Sequence, residues 1–176
     1  MKKAVISALL ALLLTGCMGG TAGTGEGPGE EPSDPTTSDT ATKDDSGTAQ
    51  IGDKFAYDDG VVVEIIGTKR TKIPRYAAGG QPGDPMALLT IRVKNGTESK
   101  LAVDLATVQV SYGKDGTKAE QVFDISVSGL SGQIAPRRAK SGKYGFAVPK
   151  TGMSDVVVEV SPDFEHDSAI FVGAIK

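Results

Sequence analysis

The chain has 176 residues, of which 39% are hydrophobic and 23% charged, with one cysteine, one histidine and no tryptophan. These values exclude a large multidomain enzyme, a disulfide-stapled scaffold and a cysteine-rich zinc site. The formal net charge of −3 comes from one segment, because residues 18–50 carry −6 and residues 51–176 carry +1. A nearly neutral domain gives no support to a nucleic-acid partner, which requires clustered positive charge.

The N-terminal residues are organised like an export signal. Two lysines precede an apolar run over residues 4–14, which is too short for a helix that spans a bilayer. The run ends at residues 14–17 in the sequence LTGC, which resembles the lipobox of bacterial lipoproteins. The resemblance implies that residues 1–16 are a signal peptide, that Cys17 is lipidated through its thiol, and that the protein is anchored at the extracytoplasmic face of the cell membrane. An ordinary secretory signal with a free thiol is the alternative, but its A-x-A-like cleavage site is missing from the sequence.

Residues 17–50, from the lipidated cysteine onward, are predicted to form a disordered acidic linker. Between residues 19 and 50 there is no Val, Ile, Leu, Phe or Tyr, and Gly, Thr, Pro, Ser, Ala, Asp and Glu dominate. Such a segment buries too little apolar surface to offset the entropy of ordering its backbone. We therefore expect a flexible spacer followed by one folded domain over residues 51–176.

The predicted domain shows the two-residue periodicity of half-buried strands. Eight segments carry this pattern: residues 53–57, 61–70, 89–94, 100–112, 117–123, 141–148, 155–160 and 169–174. In the segment 100–112 the apolar side chains stand at odd positions up to Leu105 (Leu101, Val103, Leu105) and at even positions from Val108 on. This change predicts a bulge or bend near residues 106–107 that keeps both halves, Leu105 included, facing the core. Short strands separated by Asp-Gly and Asn-Gly turns favour an all-β domain of two sheets packed face to face.

Three segments of the domain resemble the immunoglobulin-like domain of a group of Gram-positive extracytoplasmic lipoproteins. They are the entry Ile51-Gly52-Asp53, the strand and turn at residues 89–97, and the stretch at residues 135–149, which reads APRRAKSGKYGFAVP. Some members of the group carry the name telomeric repeat-binding factor-like proteins. The resemblance implies an immunoglobulin-like β-sandwich of about seven or eight antiparallel strands. It implies no catalytic residues, because the group has no agreed ones.

The sequence offers no convincing catalytic or metal site. Ser111 and Lys114 match the S-x-x-K motif of penicillin-recognising enzymes and residues 150–152 match K-T-G, but Ser111 precedes an Asp-Gly hairpin rather than opening a helix. The single histidine, His166, lies among the carboxylates of residues 163–167, whose spacing matches no calcium loop. We interpret this segment as a solvated acidic loop, with weak divalent-cation binding left open. We predict no catalytic residue, no metal site and no cofactor.

The candidate ligand-binding loop is the long segment at residues 73–85, with the sequence IPRYAAGGQPGDP. It is longer than a hairpin requires, and Arg75 and Tyr76 within it are types that often contact ligands. Two basic groups, at residues 69–75 and 137–143, are an alternative as contacts for anionic wall polymer or lipid headgroups. A sheet face is also left open, around Thr90, Arg92, Gln109 and Ser111.

These observations together predict a non-enzymatic, lipid-anchored binding module. Its expected partners are the membrane, through Cys17, and an unidentified protein or envelope ligand, with no nucleic acid among them. A small cell-envelope hydrolase, or a lipoprotein that binds metal or solute weakly, is the alternative. The lack of any cysteine after Cys17 and the confinement of histidine to one loop favour the binding module.

Replacing Cys17 by Ser tests the lipid anchor. Because the lipid, rather than the short apolar run at residues 4–14, is expected to hold the protein, the variant should leave the washed membrane fraction or remain uncut. Fractionation followed by mass measurement of the chain separates these two outcomes. A correctly processed variant that stays in washed membranes would contradict lipidation at Cys17.

Overall fold

The computed structural model describes residues 47–176, and every structural statement below concerns this part of the chain. The signal peptide, Cys17 and the linker up to residue 46 lie outside the described residues, so their assignments remain predictions. Among residues 47–176, no helix is long and apolar enough to cross a bilayer.

Twelve strands make up the described chain. In order they are β1 (Thr48–Gln50), β2 (Lys54–Ala56), β3 (Val62–Lys72), β4 (Pro85–Lys94), β5 (Leu101–Ala102), β6 (Thr107–Tyr112), β7 (Thr117–Lys118), β8 (Glu120–Val122), β9 (Gln133–Ile134), β10 (Ala139–Ala147), β11 (Val156–Ser161) and β12 (Ala169–Gly173). The count exceeds the predicted seven or eight for two reasons. The segments 100–112 and 117–123 each divide into two strands, and the short strands β1 and β9 carry no alternating apolar pattern.

The strands form two five-stranded sheets and one small pair, β5 with β9. One large sheet has the order β2-β3-β4-β10-β8 and the other has the order β1-β12-β11-β6-β7. The first sheet contains the order β4-β10-β8, which matches strands B-E-D of immunoglobulin domains. The second contains the order β6-β11-β12, which matches strands C-F-G. The described chain is therefore an all-β, immunoglobulin-like sandwich, as predicted. Strand β1 departs from the expected antiparallel pattern, because it pairs parallel to β12.

Alternating apolar side chains fill the space between the two sheets. Strand β4 contributes Ala87, Leu89, Ile91 and Val93, which are fully buried, and Val156, Val158 and Val160 of β11 face them from the other sheet. Tyr144, Phe146 and Val148, which alternate along the predicted strand segment at residues 141–148, are buried in the same core. Burying one such side chain contributes roughly 1.5–3 kcal/mol, so the two central strands hold the sheets together.

The segment from β5 to β6 bends where the apolar parity changes. Leu101 and Val103 are buried before the bend, and Val108 is buried after it. The expectation that Leu105 faces the core is wrong, since its side chain is 52% exposed. Leu105 lies in a turn closed by the amide of Ala106, which donates to the carbonyl of Val103 at 3.3 Å. The turn, rather than a bulge within a continuous strand, absorbs the change of parity.

The folded domain begins before residue 51. Strand β1 lies within the segment predicted as linker, and it pairs with β12 through the register Ala49 with Phe171. Ala49 is buried, and the Ile51 amide donates to the Val172 carbonyl at 2.9 Å. The sequence Thr-Ala-Gln at 48–50 has no large apolar side chain, so backbone pairing holds this strand. Residues 48–50, which were predicted to belong to the linker, are therefore part of the folded domain.

Two deletions of the linker test this boundary. Removing residues 19–46 is expected to leave the thermal midpoint of unfolding unchanged, because no core contact is expected from them. Removing residues 19–50 also deletes β1 and is expected to lower the midpoint by roughly 4 °C for each kcal/mol of pairing lost. Calorimetry on both variants checks this, and equal midpoints would contradict a structural role for β1.

Candidate functional site

The loop between β3 and β4 is attached to the domain at its base and in its middle. We call residues 73–84 the strap. At its base the Ile73 amide donates to the Asp84 carbonyl at 2.9 Å and the Gly83 amide donates to the Ile73 carbonyl at 2.9 Å, which continues the pairing of β3 with β4. Ile73 then forms a second apolar cluster with Met86 and Val122, separate from the main core. The strap therefore covers part of the outer face of the β2-β3-β4-β10-β8 sheet.

The middle of the strap is hydrogen-bonded to the free edge of that sheet. The Ala78 amide donates to the Phe123 carbonyl at 2.9 Å, and the Phe123 amide donates to the Ala78 carbonyl at 2.7 Å. Gly79 allows this close approach, since a Cβ there would lie 2.1 Å from the Gln121 carbonyl oxygen, and its φ is +88°. The strap thus occupies an edge that would otherwise be unpaired beyond β8.

Large apolar side chains are exposed where the strap meets this edge. Tyr76 is 89% exposed, Phe123 is 58% exposed and Ile125 is fully exposed. Tyr76 and Ile125 lie in turns, each two residues from the isolated bridge between Ala78 and Phe123, so both turns adjoin this edge of the sheet. Arg75 adds a positive charge, with its Cζ 5.7 Å from the centroid of the Tyr76 ring. We call Arg75, Tyr76, Phe123 and Ile125 the edge patch.

The edge patch joins two predicted residues with two that the sequence reading missed. Arg75 and Tyr76 were candidates because of the length of their loop. Phe123 was assigned to the end of a strand at 117–123, and Ile125 follows it in a polar turn. Nothing in their local pattern distinguishes an exposed apolar residue from a buried one. Only the pairing of Ala78 with Phe123, which is 45 positions away in the sequence, brings them to the strap.

The alternative sheet face divides between two sheets. Thr90 and Arg92 lie in β4, whereas Gln109 and Ser111 lie in β6 of the opposite sheet. Arg92 also forms an ion pair with Glu64 across β3 and β4, with an N–O distance of 2.6 Å. The four side chains therefore do not form one surface.

His166 is held between two carboxylates rather than being solvated. Its Nδ1 lies 2.8 Å from Asp163 Oδ1, and its Nε2 lies 3.1 Å from Asp59 Oδ2. The Tyr57 ring contacts the imidazole with a centroid separation of 4.5 Å, and the Tyr57 hydroxyl donates to the Asp167 carbonyl at 2.6 Å. Phe164, Glu165 and Asp167 are exposed, as expected for a solvated loop, but the side chain of His166 is only 13% exposed, so the interpretation is wrong for the histidine. We call this arrangement the histidine clamp.

The carboxylates of Asp163 and Asp59 stabilise the protonated form of His166. Partial burial alone would lower the pKa of His166, but the hydrogen bonds to Asp163 and Asp59 outweigh it and raise that pKa above 6.5. Burial likewise opposes ionisation of Asp163, but hydrogen bonds from the His166 side chain and backbone lower its pKa below 3.8. Burial, with the nearby Asp163 and Asp167 carboxylates, raises the pKa of the Tyr57 phenol. Both ring nitrogens of His166 must donate to serve two carboxylates, which requires the imidazolium.

The histidine clamp links the two sheets at one end of the sandwich. Asp59 follows β2 in one sheet, and the segment at 163–167 joins β11 to β12 in the other. Across the described part of the chain, no group of three or more His, Cys, Asp or Glu side chains is arranged to hold a metal ion. The clamp is an electrostatic contact between the two sheets.

The described fold has counterparts among solved structures. The yjhA protein from Bacillus subtilis matches with a TM-score of 0.59 at 13% sequence identity, covering 70% of this chain and 98% of that one. The ycdA protein from Bacillus subtilis subsp. subtilis strain 168, described as a candidate lipoprotein, matches with a TM-score of 0.54 at 17% identity. That match covers 72% of this chain but only 39% of ycdA. At such identities the likeness concerns the fold alone. No protein-family model matches the chain, and no curated protein matches it significantly.

Replacing His166 by Asn tests the histidine clamp through the pH dependence of stability. A raised pKa of His166 means that its contribution is complete below pH 6.5 and is lost as the pH rises through the folded-state pKa. Because the pKa of Asp163 is lowered, its own contribution to stability is lost only when the pH falls below 3.8. We expect the variant to lose about 2 kcal/mol of unfolding free energy near pH 5.5, and less at pH 8.5.

Urea unfolding across this pH range measures the difference between wild type and variant. Glu165→Gln is the matched control, because its exposed carboxylate lies in the same loop but outside the hydrogen bonds to the histidine ring. A constant difference at all pH values would contradict a charged clamp.

Proposed function

We propose that the chain is a non-enzymatic binding module, anchored at the extracytoplasmic face of the membrane, that captures a protein or envelope ligand through the edge patch. The single observation that carries the proposal is the exposure of Tyr76, Phe123 and Ile125 beside a strap that is itself packed and hydrogen-bonded. Exposed aromatic and arginine side chains are the residue types that dominate binding energy at interfaces. Their presentation on a fixed backbone lowers the entropy lost on binding.

The choice of a binding module over an enzyme rests on the surroundings of the candidate catalytic residues. His166 has both ring nitrogens within hydrogen-bonding distance of aspartate oxygens, which leaves neither free to act as a base on a nucleophile. Ser111 lies in β6 and pairs with Val157, so it does not open a helix beside Lys114 as the S-x-x-K chemistry requires. A small envelope hydrolase remains the alternative function.

The extracytoplasmic location is supported by two independent observations. The sequence LTGC at residues 14–17 resembles a lipobox, and the fold is similar to that of ycdA, which is described as a candidate lipoprotein. A spacer between the lipidated Cys17 and the domain would hold the edge patch away from the bilayer, where a protein or wall ligand can reach it.

The paired substitution of Arg75 and Tyr76 by Ala tests the edge patch. Immobilised full-length wild type is expected to capture a specific ligand from solubilised membranes and wall extracts, and the variant is expected to capture at least tenfold less. The thermal midpoint should be unchanged, because both side chains are exposed and contribute little to the core. Quantitative mass spectrometry of the captured material provides the measurement.

Phe164→Ala is the matched control, since Phe164 is also an exposed aromatic residue but lies in the loop between β11 and β12. Equal capture by the Arg75 and Tyr76 variant and by the control would contradict binding at the edge patch. A hydrolytic activity of the wild type that His166→Ala abolishes would instead support the enzyme alternative.

A further inference from the structure

A basic cleft lies at the base of the strap, and it shares no residue with the edge patch. Its volume is about 530 Å³, which is within the range of small-molecule sites. Arg70 and Lys72 line it from the end of β3, and Lys150 lines it from the turn between β10 and β11. Met153 and Pro85 provide apolar surface, and Thr71 also lines the cleft.

The lining of the cleft contains three cationic side chains and no carboxylate. Arg70, Lys72 and Lys150 are all exposed, and within residues 47–176 none of them forms an ion pair with Asp or Glu. Asp84 lies between two lining residues in the sequence, but its side chain does not line the cleft. Because the whole domain carries only +1, the concentration of positive charge here is local. Such a site attracts anions at short range.

Contacts with the core hold the Arg70 side chain and the turn that carries Lys150. The Nε of Arg70 donates to the Ile175 carbonyl at 2.7 Å, and the Ile175 amide donates to the Met153 carbonyl at 2.8 Å. Ile175 and Met153 are both buried, so the guanidinium is tied to a fixed part of the fold. Gly152 is packed against the Tyr112 ring, where an added Cβ would lie 2.5 Å from a ring carbon. The turn that carries Lys150 is thereby fixed as well.

We propose that this cleft binds a phosphate-bearing ligand. A phosphate group carries more charge and more acceptor oxygens than a single carboxylate, which suits a cleft lined by three cations. A guanidinium pairs with two phosphate oxygens, and lysine ammonium groups add charge without a directional requirement. The cleft is larger than one phosphate, so it has room for an attached organic group such as glycerol or a sugar. The phosphate belongs either to a soluble or polymeric ligand or to a lipid headgroup.

This site regroups the basic residues found in the sequence. Arg70 and Lys72 belong to the first basic group, at residues 69–75, whereas Lys150 belongs to neither group and is the first residue of the K-T-G triplet. The second basic group, at residues 137–143, lies at the N-terminal end of β10, whereas Lys150 follows the C-terminal end of that strand. The two predicted basic groups therefore lie toward opposite ends of β10 and do not form one surface.

Methyl NMR of the lipidated full-length chain tests the proposal. With the methionine methyl groups labelled with ¹³C, Met153 reports on the cleft, and Met86, which packs with Ile73 and Val122 outside the main core, is the internal reference. The chain is placed in nanodiscs of zwitterionic lipid and titrated with inorganic phosphate, glycerol 3-phosphate and a glycerol phosphodiester, with acetate as the carboxylate comparison. We expect the Met153 signal to shift with the phosphate compounds at millimolar concentrations, while the Met86 signal stays in place.

Nanodiscs that contain phosphatidylglycerol distinguish the two sources of phosphate. A shifted Met153 signal before any soluble compound is added identifies a lipid headgroup as the ligand. A shift that requires the soluble compound identifies a free or polymeric ligand. Both results support the proposal, whereas no shift under any condition, or an equal shift with acetate, overturns it.

Charge-neutralising variants complete the test. Lys72→Gln and Lys150→Gln are each expected to weaken phosphate binding about fivefold, which corresponds to about 1 kcal/mol for one charge. Lys94→Gln is the matched control, because Lys94 is an exposed lysine at the opposite end of β4. Unchanged binding in both cleft variants would overturn the proposal. The Arg75 and Tyr76 substitutions leave this titration unaffected, so failure of the edge patch and failure of the cleft are distinguishable.

Discussion

Strand β4 has apolar side chains on both of its faces, and the rest of the structure follows from the need to cover them. One face, which includes Leu89 and Ile91, is buried against the opposite sheet. The other face carries Met86 and Leu88, which a two-layer sandwich would leave in water. The strap covers this second face with Ile73, forming a third layer over part of one sheet. Because apolar burial is the main favourable term in folding, the strap is expected to be as much a part of the fold as a strand.

The position of the strap also determines what the protein can present to a ligand. To reach Phe123 from the end of β3, the strap must cross β4 and β10, and its exposed residues then lie along the edge of the sheet. Its base, where Gly83 precedes β4, forms one wall of the basic cleft. The opposite end of the sandwich is held by the histidine clamp instead. An apolar patch and a cationic cleft therefore share one structural element, while the titratable contact lies away from both.

The sequence carried enough information for the fold and only part of the site. Two-residue alternation in β4 and β11 predicts strands because the core selects one face of each, and the parity change near Ala106 predicts the bend. Strand β1 was missed because Ala49 joins the sheet through backbone pairing, which leaves no apolar pattern. The histidine clamp and the basic cleft each bring together residues that are far apart in the chain. His166 and Asp59, for example, are separated by 107 positions, and Lys150 and Arg70 are likewise distant in the sequence. Local patterns cannot predict such pairings, so the sequence predicts only part of the edge patch and part of the basic cleft.

Native-state hydrogen exchange at the amides of Ala78 and Phe123 tests the central claim, that the strap is a fixed layer of the fold. Each of these amides donates a hydrogen bond to the carbonyl of the other residue across the sheet edge, at 2.9 Å from Ala78 and 2.7 Å from Phe123. The account predicts that both exchange far more slowly than unstructured peptides, with protection approaching that of Val93 in the centre of the sheet. Exchange of both amides at unprotected rates, while Val93 stays protected, would show that the strap opens freely and would contradict the account.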